Sequence, residues 1–515
     1  MTRSGVIVLV VCAACAAPAT GELPPGGGGV PGDDAPGGTG GPVDPPPTPA
    51  EFDVALVPDG ASGAQLVNFA IPLAQGALSD ASAIAIRAGG AVLPAATRAL
   101  AKYDDDSLRS VQVQVTVDVS AHTKLTVALG AAGQAAGTEL APVASTLAGT
   151  GANVHPRVWA VLPARVLVAS GVAGPITARD DFADTALDAW SRVCDYERWG
   201  TDAFLVNANA SRDVWLYDRV TAMVRGYITT GQLPPLRSAY REAALYRDGM
   251  TIANGVATAI AVPGASTDLK YYYAQGLALH YLFTGDDRFR EAAEAVSAKV
   301  ATMWNPKYDG GDRFWTERHA GFALLAHEWA LRVTDDKAAE IAARAEAAVA
   351  AYLDEQARFP VGYTDTEARC FAHSAAAHGE DFGTFGCSPW MSAILADALD
   401  AHARRVGGER AAQVNASLGR LGRSLARDGR DGAGKPYYWM GVGSAADVPD
   451  EYEEHWGETA YVVALAWHVT GRSDGALRQA ADQLVAGLRT RGAVGQVRSF
   501  NWQCRSAIMT PTFLR

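Results

Sequence analysis

A repeated unit in the second half of the chain constrains its fold more than any other feature. In each copy, a loop rich in aromatic and charged residues leads into an amphipathic helix rich in small residues, and a tight turn leads into a second amphipathic helix. The loops are Ser266–Tyr273, Gly310–His319, His378–Trp390 and Pro449–Trp456, and the turns are Thr284–Asp286, Thr334–Asp336, Val406–Gly408 and Thr470–Gly471. Such copies predict stacked helical hairpins whose loops gather at one end.

The helical pattern covers residues 213–515, and a further hairpin ends at Thr230–Gly231. Apolar residues such as Tyr217, Val220 and Val224 recur at helical spacing. A sixth hairpin, formed by Val193–Ala210 or Val494–Arg515, would close the hairpins into an (α/α) toroid. An open α-solenoid is the structural alternative.

The N-terminus predicts export. A short positive start, an apolar run and small residues form a signal over residues 1–21. Cys12 and Cys15 each follow a sequence similar to a lipoprotein cleavage box, so lipidation of Cys15 or Cys12 is predicted, and Ala17–Ala19 would serve an ordinary signal peptidase. Residues 22–50 are rich in Gly and Pro and predict a disordered tether. We expect an outer-membrane or cell-surface lipoprotein, and otherwise a periplasmic or extracellular protein.

Four further cysteines agree with an oxidising compartment, where an even number allows two disulfides. The predicted pairs are Cys370 with Cys387, by proximity, and Cys194 with Cys504. Cys370, His373, His378 and Cys387 also have a spacing that a zinc site could use. Export favours the disulfide, and no metal is assigned.

Residues 51–176 differ in character from the helical part. Short runs of β-branched residues with partial alternation predict strands, separated by Gly, Asp, Ser and Pro. These runs are Phe52–Val57, Gln65–Ile71, Ala83–Ile86, Val111–Val117 and Lys124–Leu129, with further strand-like sequence over Val158–Ala169. They predict an all-β barrel or sandwich, joined to the helices by a connector over residues 177–212.

Two parts of the chain resemble known families. Ile71–Leu78, Gly89–Pro94, Arg98–Lys102 and Asp106–Arg109 resemble the N-terminal barrel of the exo-rhamnogalacturonan lyase-like bacterial proteins. Asp106 and Ser110 stand where that pattern has Gly and Trp. The helical part resembles the six-hairpin (α/α) glycosidases and polysaccharide lyases. The resemblance implies a multidomain protein, a β-domain followed by an (α/α) toroid, that acts on carbohydrate.

Composition excludes several other classes of function. The net charge of −12 argues against nucleic-acid binding. The sequence has no Gly-rich phosphate loop, no Gly-x-Ser-x-Gly elbow and no His-Glu-x-x-His zinc motif. Phosphoryl transfer, serine hydrolysis and zinc proteolysis therefore have no support.

The segment Gly310–His319 is the richest in candidate catalytic residues. Arg313 and Arg318 suit a uronate carboxylate, because a guanidinium binds a carboxylate through two hydrogen bonds. Trp315 suits stacking on a sugar, and His319 or Glu317 suits a general base. The alternative is structural, with Glu317 and Arg318 capping the helix and His319 packed inside.

The segment Asp450–Glu458 is the second candidate. Glu458 and His455 suit acid–base catalysis and Trp456 suits stacking on a sugar, although acidic residues also favour helix starts without any function. Tyr272 suits a catalytic acid or base in a lyase. Further substrate-binding candidates are Tyr271, Trp390 and Trp439.

These patterns predict an exported enzyme, a polysaccharide lyase that cleaves a uronate-containing glycan by β-elimination. A glycoside hydrolase with paired carboxylates, drawn from residues such as Glu317, Asp381, Glu454 and Glu458, is one alternative. A non-catalytic, glycan-binding surface lipoprotein is the other. The expected partner is a polysaccharide or oligosaccharide, bound by a monomer that reaches a membrane only through its lipid. No cofactor is expected, and the use of calcium is left open.

Overall fold

A computed structural model describes residues 46–135, 139–182, 185–307, 316–378, 380, 382–383, 385–492 and 494–515. The predicted signal, both candidate lipidation cysteines and most of the predicted tether lie outside the described residues. So do Arg313, Trp315 and Asp381. Among the described residues, no helix has the length and apolar character needed to cross a membrane.

The N-terminal part is a β-sheet domain that is nearly barrel-shaped. Strand β1 shows why the sheet forms here. Phe52, Val54 and Leu56 are buried and alternate with exposed residues, as expected for a strand with one face in the core. The strands are β1 Glu51–Pro58, β2 Ala64–Pro72, β3 Ile84–Ala88, β4 Ala91–Lys102, β5 Leu108–Asp118, β6 Lys124–Leu129, β7 Gln134–Ala135, β8 Leu147–Ala148, β9 His155–Pro156 and β10 Val158–Val161. The main sheet runs β10-β1-β6-β3-β4-β5-β2, all antiparallel, and short β7 pairs parallel to β4. Its end strands, β2 and β10, contact each other.

The five runs predicted as strands are all confirmed, and one further prediction is half wrong. Val158–Val161 is a strand, but the last six residues of the predicted Val158–Ala169 run belong to helix α1, Ala164–Ser170. Pro163 stands just before this helix and cannot donate to a sheet ladder. The apolar residues that follow suit a buried helix as well as a strand, so periodicity alone does not separate the two.

The rest of the chain is mainly helical. The helices are α2 Thr185–Ser191, α3 Thr201–Leu205, α4 Arg219–Thr230, α5 Leu233–Asp248, α6 Gln275–Thr284, α7 Asp287–Met303, α8 Glu317–Leu331, α9 Ala338–Arg358, α10 Ala375–His378, α11 Ser392–Val406, α12 Gly408–Arg427, α13 Trp456–Val469, α14 Gly475–Thr490, α15 Val497–Ala507 and α16 Thr510–Leu514. Nearly every residue of α4, α6, α8, α11, α13 and α15 is buried, whereas α5, α7, α9, α12 and α14 each bury one face. Contacts join α4, α6, α8, α11, α13 and α15 in that order, and α15 also contacts α4.

The Thr-Gly turns end the buried helices as the sequence predicts. Gly231 and Gly285 adopt φ angles of 63° and 72°, and their N–H groups donate to the carbonyls of Tyr227 and Tyr281. Glycine reaches this left-handed conformation without the steric cost of a Cβ, which allows the chain to reverse into the outer helix.

Short strands interrupt the predicted loops. β11 Thr251–Ala253 and β12 Val256–Ala259 form a hairpin, and β13 His373–Ser374, β14 Phe385–Cys387, β15 Tyr437–Gly441 and β16 Val448–Pro449 form a four-stranded sheet. The sequence indicated only loops before α11 and α13. These strands are two to five residues long, which is too short for a readable alternation.

The β-domain packs on the C-terminal end of α6. Asn68 donates to the carbonyl of Thr284 at 2.8 Å and Ser110 to that of Leu282 at 2.6 Å. Arg98 forms an ion pair with Asp287 at 2.8 Å. These side chains satisfy carbonyls that the end of a helix leaves unpaired. These contacts place the β-domain at the C-terminal end of α6, opposite the end at which Gln275 begins the helix.

Both predicted disulfides are present, which is consistent with an exported protein. Cys194 pairs with Cys504 with their Cα atoms 5.6 Å apart, and Cys370 pairs with Cys387 at 6.4 Å. The second pair also removes both thiolates that a zinc site in this loop would need.

We expect the loss of the Cys194–Cys504 bond, through Cys194→Ser with Cys504→Ser, to lower the free energy of unfolding by about 2–5 kcal/mol. It joins residues 310 positions apart, whereas Cys370–Cys387 spans 17, so the unfolded chain regains more freedom when it is absent. Guanidinium unfolding of both double variants measures this. A larger loss for the Cys370–Cys387 variant would contradict it.

Candidate active site

Five aromatic rings meet at the N-terminal ends of the buried helices. This aromatic cluster consists of Tyr217, Trp390, Tyr438, His455 and Trp502. Trp390 and His455 lie 4.6 Å apart between ring centroids and 7° from parallel. His455 and Trp502 are 5.2 Å apart, and Trp390 and Trp502 are 5.8 Å apart. Tyr438 and Tyr217 contact Trp390 at 5.5 and 6.0 Å.

Each ring comes from a different part of the chain. Tyr217, Trp390 and His455 immediately precede α4, α11 and α13, Tyr438 lies on β15, and Trp502 lies on α15. The Trp390 indole N–H donates to the carbonyl of Tyr438 at 3.1 Å, which fixes the Trp390 ring. The helical hairpins therefore bring together residues that are up to 285 positions apart in sequence (502 − 217).

Hydrogen bonds between neighbouring helix starts hold this end together. The carboxylate of Asp218, next to Tyr217, accepts from the backbone N–H of Thr221 at 3.3 Å and from that of Gly276, near the start of α6, at 3.1 Å. Glu317, at the start of α8, accepts from the backbone N–H of Ser388 at 2.9 Å. These acceptors satisfy N–H groups that an unsupported helix start would leave unpaired.

Two arginines border the aromatic cluster. The Arg318 guanidinium lies 5.6 Å from the Trp390 ring and donates to the Tyr217 hydroxyl at 3.3 Å. The Arg498 guanidinium lies 5.2 Å from the Trp502 ring. The Nε atoms of both are buried without a hydrogen-bond partner among the described residues. Such positions attract anions, because a guanidinium has five donors.

His455 sits over three buried carboxyl groups. Its Nδ1 lies 3.5 Å from Oε1 of Glu458, and both side chains are buried. Burial lowers the pKa of His455 to about 4, although Asp450 and Glu454 raise it. Burial, with further contributions from Asp450 and Glu454, raises the pKa of Glu458 well above its ordinary value. Burial therefore favours the neutral imidazole of His455 at neutral pH, and it shifts Glu458 toward its protonated form.

His319 is held by two partners. Its Nδ1 lies 2.6 Å from the Thr316 hydroxyl and its Nε2 lies 3.5 Å from Asp268. Burial lowers the pKa of His319 to about 3. Asp268 also pairs with Lys270 at 2.8 Å, and hydrogen bonds from His319 and Lys270 lower the pKa of Asp268 despite its burial. Both ring nitrogens of His319 thus face groups of the protein.

The three consecutive tyrosines have different surroundings. The Tyr272 hydroxyl donates to the carbonyl of Ser266 at 2.6 Å, and the Tyr273 hydroxyl donates to that of Trp215 at 2.9 Å. Lys270 lies 5.3 Å from the Tyr271 ring. Burial raises the pKa of Tyr271 to about 12, so its phenol stays protonated. The structure thus ties Tyr272 to its own loop.

Glu317 is buried close to His373 and to a second acid, Glu355. Its Oε2 lies 3.0 Å from Nδ1 of His373, and both side chains are fully buried. Burial and the charge of Glu317 raise the pKa of Glu355 on α9 well above its ordinary value. Glu317 lies at the predicted end of the helices, but it faces the protein interior.

Two predicted stacking residues lie away from the aromatic cluster. Trp456 is 1% exposed and packs so closely on α14 that a Cβ at Gly487 would fall 2.0 Å from its ring. Trp439 is 0% exposed and contacts the His373 ring edge-on at 4.9 Å. Neither offers an open face to a sugar in this conformation.

The sequence did not single out Tyr217, Trp502 and Arg498 as site residues. Tyr217 looked like one more apolar residue of the helical stripe, and Val494–Arg515 was read only as a segment that could close a ring. The contact of α15 with α4 and α13 brings Trp502 and Arg498 into the site. A Trp and an Arg on one face of a C-terminal helix were the available signal.

Two other regions bring charged side chains together. Glu294, Asp335 and Asp336 bring carboxylate oxygens within 4.8 Å of one another, but Lys337 already pairs with Glu294 at 2.5 Å. A groove of about 680 Å³ lies at the opposite end of α11. Its arginines Arg404 and Arg423 are paired with Asp400 and Asp474. The third, Arg420, donates to the side-chain carbonyl of Gln356 at 3.0 Å.

The chain matches no protein-family model, and no curated protein matches it. The aromatic cluster and its charged neighbours are the features of this chain that indicate a function.

Proposed function

We propose that this protein is an exported polysaccharide lyase that cleaves a uronate-containing glycan by β-elimination. The observation that carries the proposal is the position of a neutral His455 against Trp390 and Trp502, with the under-bonded Arg318 on the same tryptophan. Trp390 and His455 are buried against each other. Trp502 and Tyr438 are half-buried, so the exposed parts of their rings suit contact with a sugar. A cation and a base beside them are the minimum that elimination needs.

In the proposed reaction, Arg318 pairs with the uronate carboxylate. The charge on that carboxylate is thereby offset, which acidifies the C5 proton. Nε2 of His455 takes this proton, with the ring hydrogen of the neutral imidazole on Nδ1, directed toward Oε1 of Glu458. The electrons of the C5–H bond form the C4=C5 double bond, and the bond from C4 to the leaving oxygen breaks.

The leaving oxygen needs a proton. Burial and the nearby Glu380 carboxylate raise the pKa of Tyr438 above its ordinary value, so its phenol stays protonated at neutral pH. Tyr438 is half-buried and contacts the Trp390 and His455 rings at 5.5 and 5.9 Å. We assign it the role of general acid. The carboxylates of Asp450 and Glu454 would stabilise the imidazolium that forms on His455.

The hydrolase alternative has less support from the described residues. Glu317 lies 3.0 Å from His373, and Glu454 accepts a hydrogen bond from the Ser499 hydroxyl at 2.6 Å. Glu458 lies 3.5 Å from His455, which the lyase proposal already uses as its base. A glycosidase needs two carboxyl groups that reach the scissile bond from either side. Asp381, a further candidate, lies outside the described residues.

The contacts from α4 through α15 and back to α4 support an (α/α) toroid as the scaffold. The two disulfides support export, and lipidation of Cys15 or Cys12 would anchor the protein at an outer membrane or cell surface. Mass spectrometry of the mature N-terminus tests this part, because a diacylglyceryl group on Cys would add a lipid mass.

The activity is tested with purified protein on uronate-containing and neutral polysaccharides. We expect both ultraviolet absorbance from an unsaturated uronate and new reducing ends. Reducing ends without absorbance would replace the lyase with a hydrolase. Binding without either signal would support the non-catalytic glycan-binding protein.

The pH profile of kcat/KM gives a further prediction. A base acts only when unprotonated, so a base with a pKa of about 4 leaves the rate flat between pH 5 and 8. The rate falls only as the pH drops toward 4. An ordinary histidine would begin to lose activity near pH 6.5. A fall centred near pH 6.5 would contradict the assignment of a buried His455.

A further inference from the structure

We infer that Arg498 forms a second anion-binding subsite, so that the substrate presents two acidic groups to the site. Arg318 binds the carboxylate of the reacting sugar, and Arg498 binds an acidic group on another sugar of the chain. This inference rests on the proposed function and narrows its substrate class to a glycan with a contiguous run of uronates, as distinct from one with isolated uronates.

Arg498 is mostly buried but poorly paired. Its side chain is 28% exposed, and its Nη atoms lie 3.9 Å from Asp213 and 3.9 Å from Glu454. Both distances are longer than a hydrogen bond. Its Nε is buried with no partner among the described residues. Glu454 instead accepts a hydrogen bond from the Ser499 hydroxyl at 2.6 Å.

A fully paired guanidinium in the same protein shows the difference. Arg225 donates to the carbonyls of Ala173 and Arg505 and to the carboxylate of Asp397, at distances from 2.6 to 3.1 Å. Buried polar groups in folded proteins nearly always find such partners. Among the described residues, the two carboxylates nearest to Arg498 lie beyond hydrogen-bond distance and its side chain is 28% exposed, so its donors can reach the oxygen atoms of a ligand.

Arg498 belongs to the same surface as Arg318. Each guanidinium lies over a tryptophan of the aromatic cluster, and those tryptophans, Trp390 and Trp502, are 5.8 Å apart. The half-buried Trp502 ring lies between Arg498 and His455, since it contacts both. A glycan that reaches both cations passes over the proposed base.

Titration calorimetry tests the inference by measuring the affinity for trigalacturonate and triglucuronate. The affinity for each trimer is compared with that for a methyl-esterified form that keeps one free carboxylate. We expect the wild-type protein to bind at least one fully acidic trimer about 10- to 100-fold more tightly than its one-carboxylate form. Arg498→Gln should remove that difference and leave the affinity for the one-carboxylate form unchanged. Arg318→Gln should weaken the binding of both.

Arg489→Gln is the matched control, because Arg489 is exposed at the end of α14 and its loss changes the net charge equally. Three results would overturn the inference. They are a loss of trimer affinity in Arg489→Gln equal to that in Arg498→Gln, equal affinity of the wild type for both forms of the trimer, and no binding of any acidic trimer. The readout is independent of turnover. If binding depends on Arg498 but no glycan is cleaved, the subsite is supported and the lyase activity is not. If a glycan is cleaved but Arg498→Gln has no effect on binding, the lyase activity is supported and the subsite is not.

Discussion

His455→Gln is expected to lower kcat by about 10²- to 10⁴-fold, the usual contribution of a general base. Gln fills much of the space of the imidazole between Trp390 and Trp502, so the packing of the aromatic cluster survives, but its amide does not take a proton from carbon. The burial that keeps His455 neutral is also what makes Nε2 a base at every pH from 5 to 8. Initial rates of ultraviolet absorbance at saturating substrate measure the loss.

The controls for this prediction separate chemistry from folding. Glu451→Gln changes an exposed carboxylate on the same loop and should keep wild-type turnover. The unfolding midpoint of His455→Gln should stay close to that of the wild type. If His455→Gln keeps full activity and His319→Gln loses it, His319 is the base and His455 is not.

Asp397→Asn is expected to lower the free energy of unfolding by about 3–5 kcal/mol, because it leaves buried cations without their counter-charge. Asp397 on α11 accepts from Arg225 at 2.9 Å and from Arg505 at 2.8 Å, and all three side chains are at most 2% exposed. Burial alone would raise the pKa of Asp397, but Arg225 and Arg505 lower it overall, so the carboxylate stays ionised. The three residues join α4, α11 and α15 across the interior.

Asp354→Asn provides the comparison for that loss. Asp354 pairs with Arg358 one turn later on α9, and both side chains are at least half exposed. Such exposed pairs contribute about 0–1 kcal/mol. Urea unfolding of the two variants should therefore give clearly different midpoints. Similar midpoints would mean that water or a rearranged side chain replaces the lost carboxylate at Asp397.

Local patterns in the sequence predicted much of the architecture. The alternation in residues such as Phe52, Val54 and Leu56 predicted β1, and the Thr-Gly turns predicted where α4 and α6 end. Both depend on interactions within a few residues, which a sequence displays directly. The pairing of Cys194 with Cys504 was also predicted, because only a few connectivities exist for four cysteines.

The candidate site was predicted only in outline. The sequence placed it at the loops before the buried helices, where His455, Arg318 and Trp390 do lie together. It gave equal weight to Trp456 and Trp439, which are buried elsewhere. A tryptophan before a helix faces either a cleft or a neighbouring helix, and the choice depends on the rotation of the helix against its partners.

By itself, the sequence determined the succession of a β-sheet domain and helical hairpins, the two disulfides and the end of the helices that carries the charged and aromatic loops. Only the tertiary structure decided that Tyr217, Trp502 and Arg498 join that end, that Tyr272 bonds to its own loop and that Glu317 faces inward. The physical reason is that hydrogen bonds and turns act between near neighbours in sequence. Burial, and with it the charge state of residues such as His455 and Glu458, depends on everything that the fold packs around them.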